Sequence, residues 1–482
     1  MRAELGAGML KRREVLALLA AIGAGPAMAF AAPGPLQTRE PWGKFRVGPD
    51  YPAFVTAVRK LKANKNARSA DSWLFWVGIH GSHCPHGKPY FLAWHRGYLF
   101  LFERKLRELS GSATLRLPYW DYFADPVIPI DFTKGNAGDN PLWEPRKGSS
   151  VGAALNYAAF APGITAFERG AANAFEGKVE ASPHNNIHNL IGGKMATMQS
   201  PQDVLFWLHH ANVDRLWAAW LAAGQGRRMP APGDAYWAGQ HDYEAGLAVA
   251  RNAVLTTEAL GYRYADLALP KAPPAPPPAA PPPPPLPRVG AAPGRPPMVG
   301  AAPRGGNAAS QAGGLSLGDE SVTVTVPLAR PAPPPPPMVM SAPGGARPPR
   351  VGAAPNRAPV DTGPTEVAVI LDEVTLTEIG AEGGFFYKVY LNLPGVGNDE
   401  SRLVGTIGPF QIAAAMNHGG HHGGTAKIEL PATDLVRRLA RGRNPAELGA
   451  LSVSFVRVNA DGAPGGTVIG IGGFRIEGLA GQ

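Results

Sequence analysis

The chain has 482 residues, 45% of them hydrophobic, with a formal net charge of +9 and one cysteine. That length exceeds one ordinary domain and the apolar content suffices for sizeable cores, so two or three folded units are expected. A single cysteine excludes an intrachain disulfide framework, and the positive charge forms no basic stripe interleaved with aromatics, so no nucleic-acid partner is expected.

Residues 1–31 read as an export signal. Lys11-Arg12-Arg13 precedes Glu14 and an apolar run, and Ala27-Met28-Ala29 offers a small-residue cleavage site. The paired arginines predict the twin-arginine route and a periplasmic or secreted location. No other stretch is long and apolar enough to span a bilayer.

Residues 37–268 hold all ten tryptophans and form the expected main core. Phe54 to Lys62 and Arg96 to Leu109 have helical spacing, the second with Leu99, Phe102, Leu106 and Leu109 on one face and Gly111 as a stop. SWLFWVGIH, ending at His80, reads as a further helix, and Asp203 to Leu221 has the same period. Two histidine clusters fall in this region. The first holds His80, His83, His86 and His95 around Cys84; the second holds His184, His188, His209 and His210. An i, i+4 spacing puts His184 and His188 on one helix face. Three neutral imidazoles per ion, from facing helices, suit a pair of copper ions with positions left open.

From residue 269 to 363 proline runs dominate, and the unit VGAAP recurs at Val289, Val299 and Val351. This reads as an extended linker. One island, Ser321 to Pro327, alternates Val and Thr, and is expected to dock as an edge strand on a flanking domain. Residues 364–482 carry β-branched runs, VAVILDEVTL, FFYKVYLNL, LVGTIG, AKIEL, LSVSFVRV and TVIGIGGFRI, with one short helix in ATDLVRRLARG. Such strands predict an all-β sandwich-like domain.

FLAWHRGYLFLFE, SPHNNIHNLIGG, SPQDVLFWLHHANVDRLW and PYWDY resemble the copper motifs and a core segment of the tyrosinase and polyphenol oxidase family, the type-3 dicopper proteins, over residues 40–265. The C-terminal region resembles the β-domain of plant-type members. The expected fold is a mainly α catalytic domain, a four-helix bundle around a dicopper site, joined by the Pro-rich linker to the β-domain. The resemblance implies two coppers as cofactor, dioxygen as co-substrate and small phenols as substrates. His80, His86 and His95 would hold one copper and His184, His188 and His210 the other. His80 is preferred over His83 because it ends a ligand helix. His209 would orient its neighbours through hydrogen bonds.

The resemblance also implies a thioether between Cys84 and His86. Glu180 and Asn185 match the pair that holds a water beside the coppers in members that hydroxylate monophenols. Asn189 and Val213 are expected at the substrate mouth. The β-domain is expected to cover the site and keep the enzyme latent, with Phe385, Phe386 or Tyr387 as the covering residue. His418, His421 and His422 form a loop read either as a copper-capture site or as a polar hairpin. The activity expected is ortho-hydroxylation of monophenols and oxidation of o-diphenols. Catechol oxidase, o-aminophenol oxidase and a hemocyanin-like oxygen carrier stay open as alternatives.

Overall fold

The computed structural model describes residues 36–171, 173–273, 309–311, 314–328, 366–418, 424–441 and 448–478. The export signal, His421 and His422, and the side chain of His418 lie outside the described residues.

The helical half is built on α1 (Tyr51–Ala63), α2 (Trp73–His83), α3 (Phe91–Ser110), α4 (Phe175–Val179), α5 (Asn185–Ile191) and α6 (Val204–Ala222). Their ends follow local chemistry. The Ser72 hydroxyl caps α2 by accepting from the Leu74 N–H, and the Asp203 carboxylate caps α6 by accepting from that of Leu205. Gly111 ends α3 in the left-handed region, at φ 74°. α3 buries residues all around its first three turns, which makes it the central helix of the bundle. Between α4 and α5 the backbone makes a wide turn over Glu180–His184 with Ser182 out of helical geometry. His184 therefore stands at the very start of α5 instead of inside a continuous helix.

The C-terminal half is a pair of sheets. Its strands are β1 (Ala309–Gln311), β2 (Leu315–Leu317), β3 (Val322–Pro327), β4 (Ala368–Leu376), β5 (Phe385–Asn392), β6 (Leu403–Ile407), β7 (Ala426–Pro431), β8 (Ala450–Asn459) and β9 (Ile469–Glu477). One sheet has the order β6-β5-β8-β3, and the other β7-β4-β9-β1 with β2 also on β9. The pairings within both sheets are antiparallel. Two longer helices join them, α7 (Pro409–His418) and α8 (Thr433–Ala440), beside a single helical turn at Glu378–Ala381. The island at Ser321 docks as an edge strand, on β8. Two strands before it, β1 and β2, join the opposite sheet and were not expected. α7 was not expected either.

Each half has its own core, yet Phe386 and Ala414 of the β half pack into the helical core. Backbone hydrogen bonds also cross between the halves. Gly384 N–H donates to Asn189 O, Gly193 N–H to Glu382 O and Gly462 N–H to Lys147 O, each at 2.7 Å. The crossing points cluster at the end of α5, beside the histidines.

Candidate metal centre

Four helices deliver two buried groups of side chains. His80 from α2, Cys84 and His86 from the following loop, and His95 from α3 form one group; His184 and His188 of α5 with His209 and His210 of α6 form the other. Within each group the ligand-capable atoms lie within 4.8 Å of one another. His83 is exposed, whereas His80 is fully buried.

Hydrogen bonds fix which ring nitrogen faces inward. The Nδ1–H groups of His80, His95 and His188 donate to the carbonyls of Met198, Phe91 and Met195 at 2.9, 2.7 and 2.7 Å. Nε2 is then the lone-pair atom of each ring. In the second group His210 Nε2 lies 3.2 Å from His184 Nε2 and 3.4 Å from His188 Nε2. Imidazole nitrogens about 2.0 Å from one tetrahedral ion stand about 3.3 Å apart, so this spacing fits a metal. Burial, reinforced by the neighbouring imidazoles, pushes the pKa of His86, His95, His188 and His210 far below the usual histidine range. Burial takes His184 down to about 3. The rings are thus neutral, which is the ligand form. Across the two groups the rings of His95 and His210 stack with centroids 4.1 Å apart.

Cys84 is fully buried, with Sγ 3.4 Å from His95 Nε2 and 3.7 Å from His86 Nε2. Burial raises its thiol pKa well above the ordinary value, with the Glu180 charge adding to the effect. The group therefore offers three imidazole nitrogens and one protonated thiol sulfur.

His209 does not act as expected. Neither ring nitrogen has a hydrogen-bond partner among the described residues. Its ring packs instead, nearly parallel to His184 at 5.2 Å and against Tyr122 at 5.5 Å.

Glu180 is buried, and both its oxygens are engaged. Oε1 accepts from the Gly87 N–H at 2.7 Å, and Oε2 pairs with the Arg169 guanidinium, which also donates to Lys88 O. Burial pushes its pKa up to about 7 against the pull of Arg169 and that N–H. Asn185 Oδ1 lies 2.9 Å from His184 Nδ1. Glu180 and Asn185 therefore flank His184 with separate partners, and Arg169 is a neighbour that no feature of the sequence announced.

The residue over the histidines is Phe410, at the start of α7. Its ring stacks on His188 with centroids 4.0 Å apart and 15° between planes, and stands edge-on to His86 and His184 at 5.0 and 5.6 Å. Asn189 holds this helix end. Its Oδ1 accepts from the Phe410 N–H at 2.8 Å and its Nδ2 donates to Gln411 Oε1 at 2.7 Å. Gly408 is needed here, because a Cβ on it would lie 2.4 Å from Asn189 Nδ2. Asn189 and Val213 are both buried. The three aromatics expected over the site are elsewhere: Phe385 and Tyr387 belong to the β core, and Phe386 packs into the helical core. Their strand, β5, alternates its faces between the two cores, so none of them is free to reach the histidines. Pro409 at a helix start followed by the Ala413–Ala415 run was the signal for α7.

A helical bundle with two converging sets of buried, neutral imidazoles defines a type-3 dicopper protein. The chain matches the common central domain of tyrosinase over residues 60–163 and 147–223, and a domain of unknown function (DUF7868) over residues 308–472. A tyrosinase of Streptomyces glaucescens is 34% identical over 225 residues, covering 37% of this chain and 79% of that protein. A tyrosinase of Hahella sp. is 32% identical over 254 residues, covering 44% of this chain but only 53% of its own length. A solved structure of latent aurone synthase, a polyphenol oxidase, aligns over 94% of this chain and 91% of its own, at 16% identity and a TM-score of 0.49. The chain belongs to the tyrosinase family. Among the described residues no helix is long and apolar enough to cross a membrane.

Proposed function

We propose that the protein is an exported, copper-dependent phenol oxidase that hydroxylates monophenols at the ortho position and oxidises o-diphenols to o-quinones, held latent by its own β-domain. The observation that carries this reading is the convergence of two imidazole sets directly beneath Phe410. His80, His86 and His95 would hold one copper, and His184, His188 and His210 the other. Bound there, the copper pair supplies the binding and activation of dioxygen. The residues around it do the rest. The aromatic walls exclude bulk water, and the face of His188 offers a phenol the stacking surface that Phe410 now occupies. Glu180, beside the loop that carries His86, would accept the phenol proton through a water shared with Asn185. Its two oxygens offer about four acceptor sites, and the Gly87 N–H and Arg169 use one on each oxygen.

A thioether between Cys84 and His86 would fix the His86 ring and remove the thiol from an oxidising site. Sγ lies nearer to His95 Nε2, at 3.4 Å, than to His86 Nε2, at 3.7 Å, so the case for His86 rests on the Cys-x-His pattern of the sequence. Intact-mass analysis reports a crosslink as a loss of two hydrogens, and peptide mapping assigns it to His86 or to His95. The paired arginines Arg12 and Arg13 support export by the twin-arginine route. The test of the function is oxygen uptake by copper-replete protein with a monophenol and with its catechol, once the β-domain is displaced. Uptake with both is expected. Uptake with catechol alone would leave a catechol oxidase, and reversible oxygen binding without oxidation would leave a carrier.

A further inference from the structure

Four of the six proposed ligands sit inside helices, His80 in α2, His95 in α3, His188 in α5 and His210 in α6. The other two do not. His86 lies in the loop after α2, and His184 ends the wide turn before α5. Their rings, one from each group, face each other with centroids 5.7 Å apart and 27° between planes. No helix of their own fixes these two positions, so other contacts have to hold them.

The link from His86 to His95 is held from outside at successive residues. The Gly87 N–H donates to Glu180 Oε1 at 2.7 Å, and Lys88 O accepts from Arg169 Nε at 3.2 Å. The Leu92 N–H donates to Glu176 Oε1 at 3.2 Å. That last bond caps α3 from another segment, because Tyr90, its N-cap residue, is left-handed at φ 75° and offers no side-chain cap. The Tyr90 ring is enclosed by the Arg251 guanidinium at 4.0 Å and the Tyr236 ring at 4.6 Å. Glu176 and Glu180 are four residues apart on α4 and its C-cap, and so face one side. Arg169 closes the arrangement, because its guanidinium also pairs with Glu180 Oε2. From Glu180 the chain runs directly into the turn that ends at His184.

We propose that Arg169 and Glu176 are positioning residues for both copper ions. With Glu180 they form a bracket that ties the link between His86 and His95 to the segment entering α5, and so sets the two metal sites against each other. The inference rests on the reading of the six histidines as copper ligands. Neither residue belongs to the ligand-capable groups of either cluster. A guanidinium suits the task, since its planar fork holds the Lys88 carbonyl and the Glu180 carboxylate at once, whereas an ammonium is a point charge on a flexible stem. Groups that orient ligands in this way change metal affinity by about 10- to 100-fold when they are removed.

The test is copper retention by the full chain, read as copper per chain by elemental analysis against rising concentrations of a copper chelator. The parent is expected to hold two ions. In Arg169→Met and in Glu176→Leu the chelator concentration that strips half the copper should fall by about tenfold or more, with both ions lost together. Near-UV circular dichroism of the copper-free chains, expected to match the parent, shows that folded proteins are compared. Arg169→Lys keeps a cation beside Glu180 and guards against failure of Arg169→Met to fold; it too should fall by about tenfold. If Arg169→Lys holds copper as the parent does, Arg169 only compensates the Glu180 charge and the proposal is overturned. Variants that all retain the parent's affinity would overturn it as well. So would variants that lose one ion and keep the second at parental strength, since the bracket would then serve one site alone. A parent chain that binds no copper would overturn the dicopper reading, and the bracket with it.

Discussion

Phe410 stacks on the face of His188, the surface proposed above for a phenol, and Asn189, next along the chain, holds it there. Ring stacking and two hydrogen bonds to one side chain make this a local contact with separable parts. The ligand assignment can be tested at the same scale. His210→Ala is expected to cost one of the two ions, whereas His209→Ala is expected to retain both, as read from copper per chain by elemental analysis. Equal losses would make His209 a ligand. Glu180→Gln keeps the shape but removes the base. It should lower monophenol turnover by about a hundredfold, a typical contribution of a positioned base, while catechol turnover stays within a few-fold. A parallel fall in both rates would assign Glu180 a structural role through Gly87 and Arg169.

At the scale of elements, the sequence made the histidine-bearing helices legible because their apolar period and the i, i+4 pair are local signals. The wide turn before α5 was not read from the sequence, although Ser182-Pro183 is a helix-start signal of the same kind as Pro409. α7 was missed because a ten-residue segment flanked by glycines looks like a loop until its packing against α5 is seen. The choice of Phe385, Phe386 and Tyr387 as cover failed for a related reason, because strand alternation commits each of them to a core. Asp214 makes buried ion pairs with Arg96 and Arg39. It accepts from Arg96 and from the hydroxyls of Tyr262 and Tyr264 at 2.6 Å each, with Arg39 alongside. Burial alone would raise its pKa, but Arg96 and Arg39 hold it below the usual range. The stability it contributes is therefore present above the unfolded carboxylate value of about 3.9 and is lost as pH falls through the lower folded value. Asp214→Asn should cost about 3–5 kcal/mol in denaturant unfolding at pH 7, as expected for a broken buried ion pair. A loss that is the same at pH 7 and at pH 2 would show that packing, not charge, carries it. Gly408→Ala tests α7 without touching a histidine. Its Cβ collides with Asn189, so it should raise catechol oxidation by the intact chain, and unchanged oxidation would place the barrier elsewhere.

On the scale of the whole molecule, the two halves meet at the end of α5 through three backbone hydrogen bonds and the Lys147–Glu382 ion pair. The β-domain is thus fastened to the helix that carries His188. The domain order was legible in the sequence from the shift between helical, proline-rich and β-branched composition. The assignment of β1 and β2 was not, because pairing with a strand about 150 residues away leaves no local trace. The most direct measurement is catechol-dependent oxygen uptake per copper by the intact chain and by Phe410→Ala. Truncating a buried Phe removes about 3 kcal/mol of packing, and about 1.4 kcal/mol is tenfold, so the variant should be faster by on the order of ten- to a hundredfold. An intact chain as fast as Phe410→Ala would contradict the covered site, and copper-replete protein silent in both forms would contradict the oxidase itself.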